Sequence, residues 1–110
     1  MLFRSGLFDL EGELLLLRED VGRHNAVDKV VGARLRAGGG FDESLLLVSG
    51  RIGFEIVQKA AAARIPIVAG ISAPTSLAVR FGEDLGLTVV GFLRGEAMNV
   101  YAQADRVQLQ

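Results

Sequence analysis

Cysteine is absent from this sequence of 110 residues. The absence removes disulfides, thiolate metal sites, persulfide carriage and a cysteine nucleophile from the chain's own chemistry. Histidine occurs once, at His24, so a multi-histidine metal site is excluded as well, and zinc chemistry goes with it. Neither charge sign dominates. Lys and Arg total 12 and Asp and Glu 13, a formal net charge of −1, which argues against a broad basic surface for nucleic acid while allowing a local basic pocket. Long apolar runs are missing too: residues 14–17 and 45–48 are among the longest, far short of the ~18–20 needed to cross a bilayer. The first six residues lack the charged start, apolar stretch and small-residue cleavage site of a signal peptide, so a cytoplasmic protein without membrane or nucleic-acid partners is expected. What is present is a composition of 50% hydrophobic and 23% charged residues, the balance of one soluble globular domain spanning residues 1–110.

The pattern along the chain predicts an α/β fold. Residues 6–17 break at Glu11 and Gly12 and read as a β-hairpin whose second strand, Leu14 to Leu17, is apolar enough to be buried on both faces. A polar junction follows, opening a helix in which Ala26, Val27, Val30, Val31 and Leu35 recur at helical spacing until Gly38, Gly39 and Gly40 end it. The apolar run 45–48 is a buried-type strand. A second helix presents Phe54, Val57 and Ala61, with Glu55 and Lys59 at ion-pair spacing. A third strand over 67–71 exits through Ser72, Ala73, Pro74 and Thr75, where Ser72 can cap and Pro74 fits a first turn. The third helix then turns Leu77, Ala78, Phe81 and Leu85 inward and stops at Gly86, and residues 87–92 form a fourth strand. Residues 99–101 are a short polar-flanked piece. Strands alternating with helices imply a largely parallel mixed sheet with right-handed crossovers, covered on both faces as a three-layer α/β/α arrangement, with the hairpin as an antiparallel edge.

In such sheets ligands bind beyond the carboxyl ends of the strands. Three junctions there are unusually polar: Asp20, Val21, Gly22, Arg23, His24 and Asn25; Ser49, Gly50 and Arg51; and Ser72 to Ser76, including Thr75. Parallel strands would open all three on one edge, offering helix-start amides, hydroxyls and arginines to an anion. The fourth strand ends in Gly91, Phe92, Leu93, Arg94, Gly95 and Glu96, adding an aromatic face and another cation, which together describe a nucleotide site. Plainer readings stand beside this one. Ser72, Thr75 and Ser76 are ordinary capping residues. Arg23 and Arg51 have Asp20, Asp28 and Glu55 as available surface partners. His24 can donate a hydrogen bond, shuttle a proton or orient a loop. Asp28 and Lys29 read as solvated or paired, and Gly22, Gly50 and Gly91 as turn residues.

The run from Arg18 to Lys29, with Ser49-Gly50-Arg51, Phe54-Glu55, Val57-Gln58-Lys59, residues 72–79 and Val90-Gly91-Phe92, strongly resembles the formate dehydrogenase accessory protein family, the FdhD-type sulfurtransferases. Order and spacing hold from about Leu7 to Tyr101. The resemblance implies a cytidine-deaminase-like α/β/α fold without the deaminase zinc, whose His/Cys/Cys site this chain cannot build. It also implies sulfur delivery from a cysteine desulfurase to the molybdenum (or tungsten) bis-molybdopterin guanine dinucleotide cofactor that formate dehydrogenase needs, with a homodimer as the expected assembly. In the family the sulfur travels as a persulfide on a Cys-x-x-Cys segment upstream of the region matched here. Part of the guanine dinucleotide is held by the segment corresponding to Phe92, Leu93, Arg94, Gly95, Glu96 and Ala97, where Ala97 stands in place of a usual arginine.

With no thiolate available, sulfur transfer by these residues alone is excluded. The expectation is therefore the cofactor-binding C-terminal portion of a longer sulfurtransferase, with GDP as a ligand mimic. Two alternatives are a non-catalytic dimerisation or docking module for the desulfurase or dehydrogenase, and a small enzyme using His24 and Asp20 as an acid–base pair.

Overall fold

Residues 2–94 and 97–103 are described in the computed structural model of the chain. In chain order they form β1 (Phe3–Asp9), β2 (Leu14–Asp20), α1 (Arg23–Arg36), β3 (Ser44–Val48), α2 (Phe54–Ala63), β4 (Ile67–Gly70), α3 (Ser76–Leu85), β5 (Thr88–Arg94) and β6 (Ala97–Ala102). All six strands enter one mixed sheet in the order β2-β1-β3-β4-β5-β6. The pairs β3–β4 and β4–β5 are parallel, while β1–β2, β1–β3 and β5–β6 are antiparallel. Since β1 opposes both its neighbours, β2 runs in the same direction as β3, β4 and β5, and these four strands end on one edge.

The hairpin forms where Glu11 and Gly12 suggest. The Asp9 carboxylate accepts from the Glu11 and Glu13 amides at 3.0 and 2.9 Å, and Gly12 takes the left-handed φ of 89° that the turn requires. Register then builds the core. Leu7 faces Leu46, Leu46 faces Val68 and Val68 faces Val89, an apolar row of fully buried side chains crossing four strands. Val27 and Val30 of α1 and Ile56, Val57 and Ala60 of α2 close over it. Each such side chain stabilises the fold by roughly 1.5–3 kcal/mol through removal from water.

All three described helices sit side by side. Lys59 of α2 reaches Asp28 of α1 at 2.8 Å, and Phe54 of α2 meets Phe81 of α3 edge to face at 5.5 Å. They lie on one face of the sheet, so the described residues supply two of the three layers expected. None of them is long and apolar enough to cross a membrane.

Several local expectations are corrected. β2 is not doubly buried: it is the edge strand, and Leu14 and Leu17 are about half exposed, at 51% and 47%. Lys59 pairs with Asp28 rather than with Glu55, because α1 brings that carboxylate closer than the helix's own turn does. Ser72 does not cap α3. The helix has not begun at Pro74, which bridges to Ile52, and Thr75 is the cap, its hydroxyl accepting from the Ala78 amide at 3.1 Å. Leu35, Leu77 and Leu85 face solvent, since α1 packs on the sheet through Ala26, Val27, Val30 and Ala33 and α3 through the small residues Ala78 and Gly82. The polar piece at 99–101 belongs to β6, a sixth strand. Gly86, with φ 75°, ends α3 in the left-handed conformation as expected.

Gly82 sets how closely α3 approaches. A methyl there would sit 2.6 Å from Val89 Cγ2 and 3.2 Å from Ala102 Cβ. Glycine to alanine inside an exposed helix ordinarily stabilises by up to about 1 kcal/mol. Here Gly82→Ala is expected to destabilise by about 1–3 kcal/mol through overpacking, read as a lowered urea midpoint; an unchanged or raised midpoint contradicts the close contact.

Candidate functional site: the edge where four strands end

Backbone hydrogen bonds stitch the strand exits together. Arg4 donates its amide to Ser49 Oγ at 2.9 Å, and the Ser49 amide donates to the Arg4 carbonyl at 3.0 Å, tying the end of β3 to β1. The Thr75 amide donates to the Ile52 carbonyl at 2.9 Å and the Phe92 amide to the Ser72 carbonyl at 3.3 Å, so the exits of β3, β4 and β5 are joined in sequence. Two glycines permit this closeness. A Cβ at Gly91 would lie 2.8 Å from Pro74 Cδ, and one at Gly50 would lie 2.9 Å from the Phe3 ring and 3.7 Å from Arg23 Cδ. The second contact places the stem of Arg23 beside the β3 exit.

A cleft of about 290 Å³ opens at this edge. Arg23 reaches it from α1, Arg51, Gly53, Phe54 and Glu55 from the β3–α2 junction, and Thr75 and Leu77 from the start of α3. Phe54, Glu55 and Leu77 were not singled out as site residues by the sequence reading. Phe54 and Leu77 carry the apolar signal of a core, and only their position at helix starts directly after the polar junctions could have marked them.

The charges are sorted in a particular way. Lys29 takes Asp20 at 2.8 Å and Lys59 takes Asp28 at 2.8 Å. Arg23 and Arg51 have no ion-pair partner among the described residues, so the surface pairings open to them in the sequence are not made. Glu55 folds its carboxylate back over Gly53, where a Cβ would meet Glu55 Oε1 at 2.9 Å. The positive end of α2 is thereby already opposed by a side chain. The buried polar atoms His24 Nδ1 and Ser72 Oγ have no hydrogen-bond partner among the described residues. Phe92 stands at the rim of the β5 exit, 40% exposed, with a left-handed φ of 52° that is strained for a bulky side chain.

Other expected site residues do different work. Asp20 accepts from the Gly22 amide at 2.9 Å and from Asn25 Nδ2 at 3.4 Å, so Asp20 and Asn25 hold the β2–α1 turn. No hydrogen bond joins Asp20 to His24 among the described residues. Ser49 spends its hydroxyl on Arg4, and Thr75 spends its own on the α3 start. Ser76 is exposed in the first turn of α3. Gly95 and Glu96, and the side chains of Leu93, Arg94 and Ala97, lie outside the described residues.

Comparison with known proteins gives one consistent result. The FdhD/NarQ family profile matches residues 2–108. A protein named sulfur carrier protein FdhD from Streptomyces coelicolor is 58% identical over 110 residues, covering 99% of this chain and 39% of that protein. A protein of the same name from Sulfolobus acidocaldarius is 54% identical over 109 residues, covering 98% of this chain and 43% of its own length. A crystal structure of a protein from Desulfotalea psychrophila, assigned as a formate dehydrogenase accessory protein, superposes with a TM-score of 0.89 at 36% identity, over 97% of this chain and 48% of that one. The chain thus spans about two-fifths of the length of these curated relatives.

The hydrogen bond with Lys29 and that with the Gly22 amide lower the Asp20 carboxyl from 3.8 to about 2. A depressed folded-state value means the unfolded chain binds more protons near pH 3, so the stability Asp20 contributes is complete above about pH 4 and lost as the pH falls toward 2. Acid titration followed by circular dichroism should show Asp20→Asn losing stability at neutral pH and a flatter stability curve between pH 4 and 2. A parent-like curve in the variant would remove Asp20 as the clasp of this turn.

Proposed function

The chain belongs to the FdhD/NarQ family, and from that premise we propose that it is the cofactor-binding C-terminal portion of a formate dehydrogenase sulfur carrier. Its substrate is the molybdenum (or tungsten) bis-molybdopterin guanine dinucleotide cofactor, which receives sulfur, and the cleft at the strand exits binds the dinucleotide's charged end. The observation that carries this reading is the pair Arg23 and Arg51, which line the cleft without an ion-pair partner among the described residues while both nearby lysines are neutralised. Guanidinium groups offer paired donors to phosphate oxygens, and removal from bulk water strengthens such contacts. The unpartnered His24 Nδ1 and Ser72 Oγ supply hydrogen-bonding capacity at the same edge, and the exposed ring of Phe92 suits a stacked purine. Because Glu55 opposes an anion at the start of α2, the arginines rather than that helix end provide the positive charge.

The chain's part in the chemistry is binding and orientation. Sulfur is carried as the outer sulfur of a cysteine persulfide, with the cysteine thiolate as the leaving group on transfer, and none of these 110 residues is a cysteine. The thiol comes from outside them. A cysteine desulfurase as sulfur source, formate dehydrogenase as recipient, a cytoplasmic setting and a homodimer complete the proposal. A docking role without ligand is the second reading, favoured by the exposed leucines on the sheet's other face.

GDP is the practical probe. A hundredfold excess over Kd stabilises a binding protein by about 2.7 kcal/mol, visible as a raised melting temperature and as heat in calorimetry. Arg23→Ala and Arg51→Ala should each weaken GDP by about tenfold to a hundredfold, the worth of a charge-assisted hydrogen bond at ~1.5–3 kcal/mol, while Arg80→Ala on α3 leaves binding unchanged. Absence of heat and of any melting shift at millimolar GDP overturns the cleft as a nucleotide site.

A further inference from the structure

The cleft at the strand exits holds charges of both signs and pairs none of them. Arg23 and Arg51 line it together with Glu55, the one carboxylate among its described lining residues. Arg51 and Glu55 stand four positions apart, yet the ion pairs among the described residues are Arg4 with Glu19, Lys29 with Asp20 and Lys59 with Asp28. No described side chain or amide donates a hydrogen bond to the Glu55 carboxylate. The chain itself sets this separation. Glu55 lies in the first turn of α2, where a negative charge suits the helix start, and its Oε1 comes against Gly53, 2.9 Å from where a Cβ would stand. The carboxylate is thereby kept at the helix start and away from both guanidinium groups.

An exposed ion pair gains little over water, so leaving these groups apart costs the fold little and leaves a donor set and an acceptor set open in one cleft. The arginines attract an anion and Glu55 repels one. An ionised carboxylate accepts and cannot donate, through two oxygens side by side, and its best partner presents two adjacent N–H groups in one plane. Resting on the reading that the arginines hold the dinucleotide's phosphates, we propose that Glu55 is the specificity residue of the cleft. Its carboxylate accepts from the ring N–H and the neighbouring exocyclic amine of a 2-amino-4-oxopyrimidine edge. Guanine and pterin share that edge, and the proposed substrate carries both. Adenine offers one donor beside a ring acceptor, so a carboxylate oxygen would face a lone pair. Hypoxanthine keeps the ring N–H and lacks the amine. A site built to bond a donor discriminates against an analogue that leaves its acceptor unpaired. Arginines alone hold any nucleoside diphosphate alike, so the selectivity belongs to Glu55.

Calorimetry with GDP and IDP, which share ribose and diphosphate, isolates the edge and needs no variant. The chain is expected to bind GDP about tenfold to a hundredfold more tightly than IDP, the worth of one charge-assisted hydrogen bond. In Glu55→Gln, which has one acceptor oxygen in place of two and no charge, that preference falls to within about threefold. Glu55→Asp, which keeps the carboxylate, retains a preference for GDP. A third probe, 6-hydroxymethylpterin diphosphate, separates the two sources of the edge. Tighter binding than GDP, lost in Glu55→Gln, assigns the edge to pterin, and the opposite order assigns it to guanine. Equal affinity for GDP and IDP, both weakened by Arg51→Ala, overturns Glu55 as the reader of the ring and leaves the cleft as a phosphate site. Equal loss of GDP and IDP in Glu55→Gln marks a merely structural carboxylate and overturns it too. Binding of none of the three probes removes the phosphate site and this assignment with it.

Discussion

Strand direction is the constraint on which the molecule depends. Parallel pairing of β3 with β4 and of β4 with β5, with β2 aligned to them through β1, sends four chain exits to one edge. A β-strand ending leaves backbone groups unpaired, and here neighbouring exits satisfy one another: Ile52 with Thr75, Ser72 with Phe92, Ser49 with Arg4. The same bonds that settle this polar backbone gather the junctions. Placement of Arg23, Arg51, Thr75 and Phe92 at one rim is thus a by-product of satisfying hydrogen bonds that the fold must satisfy in any case.

Much of the architecture was legible because strands β3 and β4 are short apolar runs bounded by polar or glycine-rich turns, and the helices between them show helical spacing. β6 was not. Asn99 and Tyr101 interrupt its apolar content, and only the partner strand β5 makes it a strand at all, so the deciding information is tertiary. Helix faces were misread for a related reason. Large residues such as Leu35 and Leu85 carry most of the hydrophobic signal, yet α1 packs through Val27, Val30 and the small Ala26 and Ala33, and α3 through Ala78 and Gly82, where close approach of backbones excludes larger side chains. The cap at Thr75 rather than Ser72 follows from the bridge between Pro74 and Ile52, a contact between two loops that neither announces alone.

The candidate site shows the same division. Polar residue types at helix starts mark the three junctions in the sequence, and strand direction then brings them together. Which cation meets which carboxylate is another matter. Asp20 and Lys29 are nine positions apart, and Asp28 and Lys59 lie on different helices, separations at which no local rule ranks one partner above another. Lys59 takes Asp28 because α1 and α2 pack side by side, Lys29 takes Asp20 because α1 lies along the end of β2, and the arginines are left over. A guanidinium without a partner at a cleft is a property of the folded chain, invisible to composition or spacing.

Two surfaces of the sheet meet at that edge. A hollow of about 330 Å³ on the open face, away from the helices, is walled by Arg4, Val48, Ser49 and Ile71, residues at the ends of β3 and β4, and Ser49 belongs to the junction that leads into the cleft. The open face therefore reaches the strand exits from behind while the helix-side junctions reach them from the front. The hollow lies one strand end away from Arg23 and Arg51, which have no ion-pair partner among the described residues. The apolar hollow and the arginine-lined cleft rest on different residues yet converge on one edge, because the strand ends that close the first lead into the junctions that line the second.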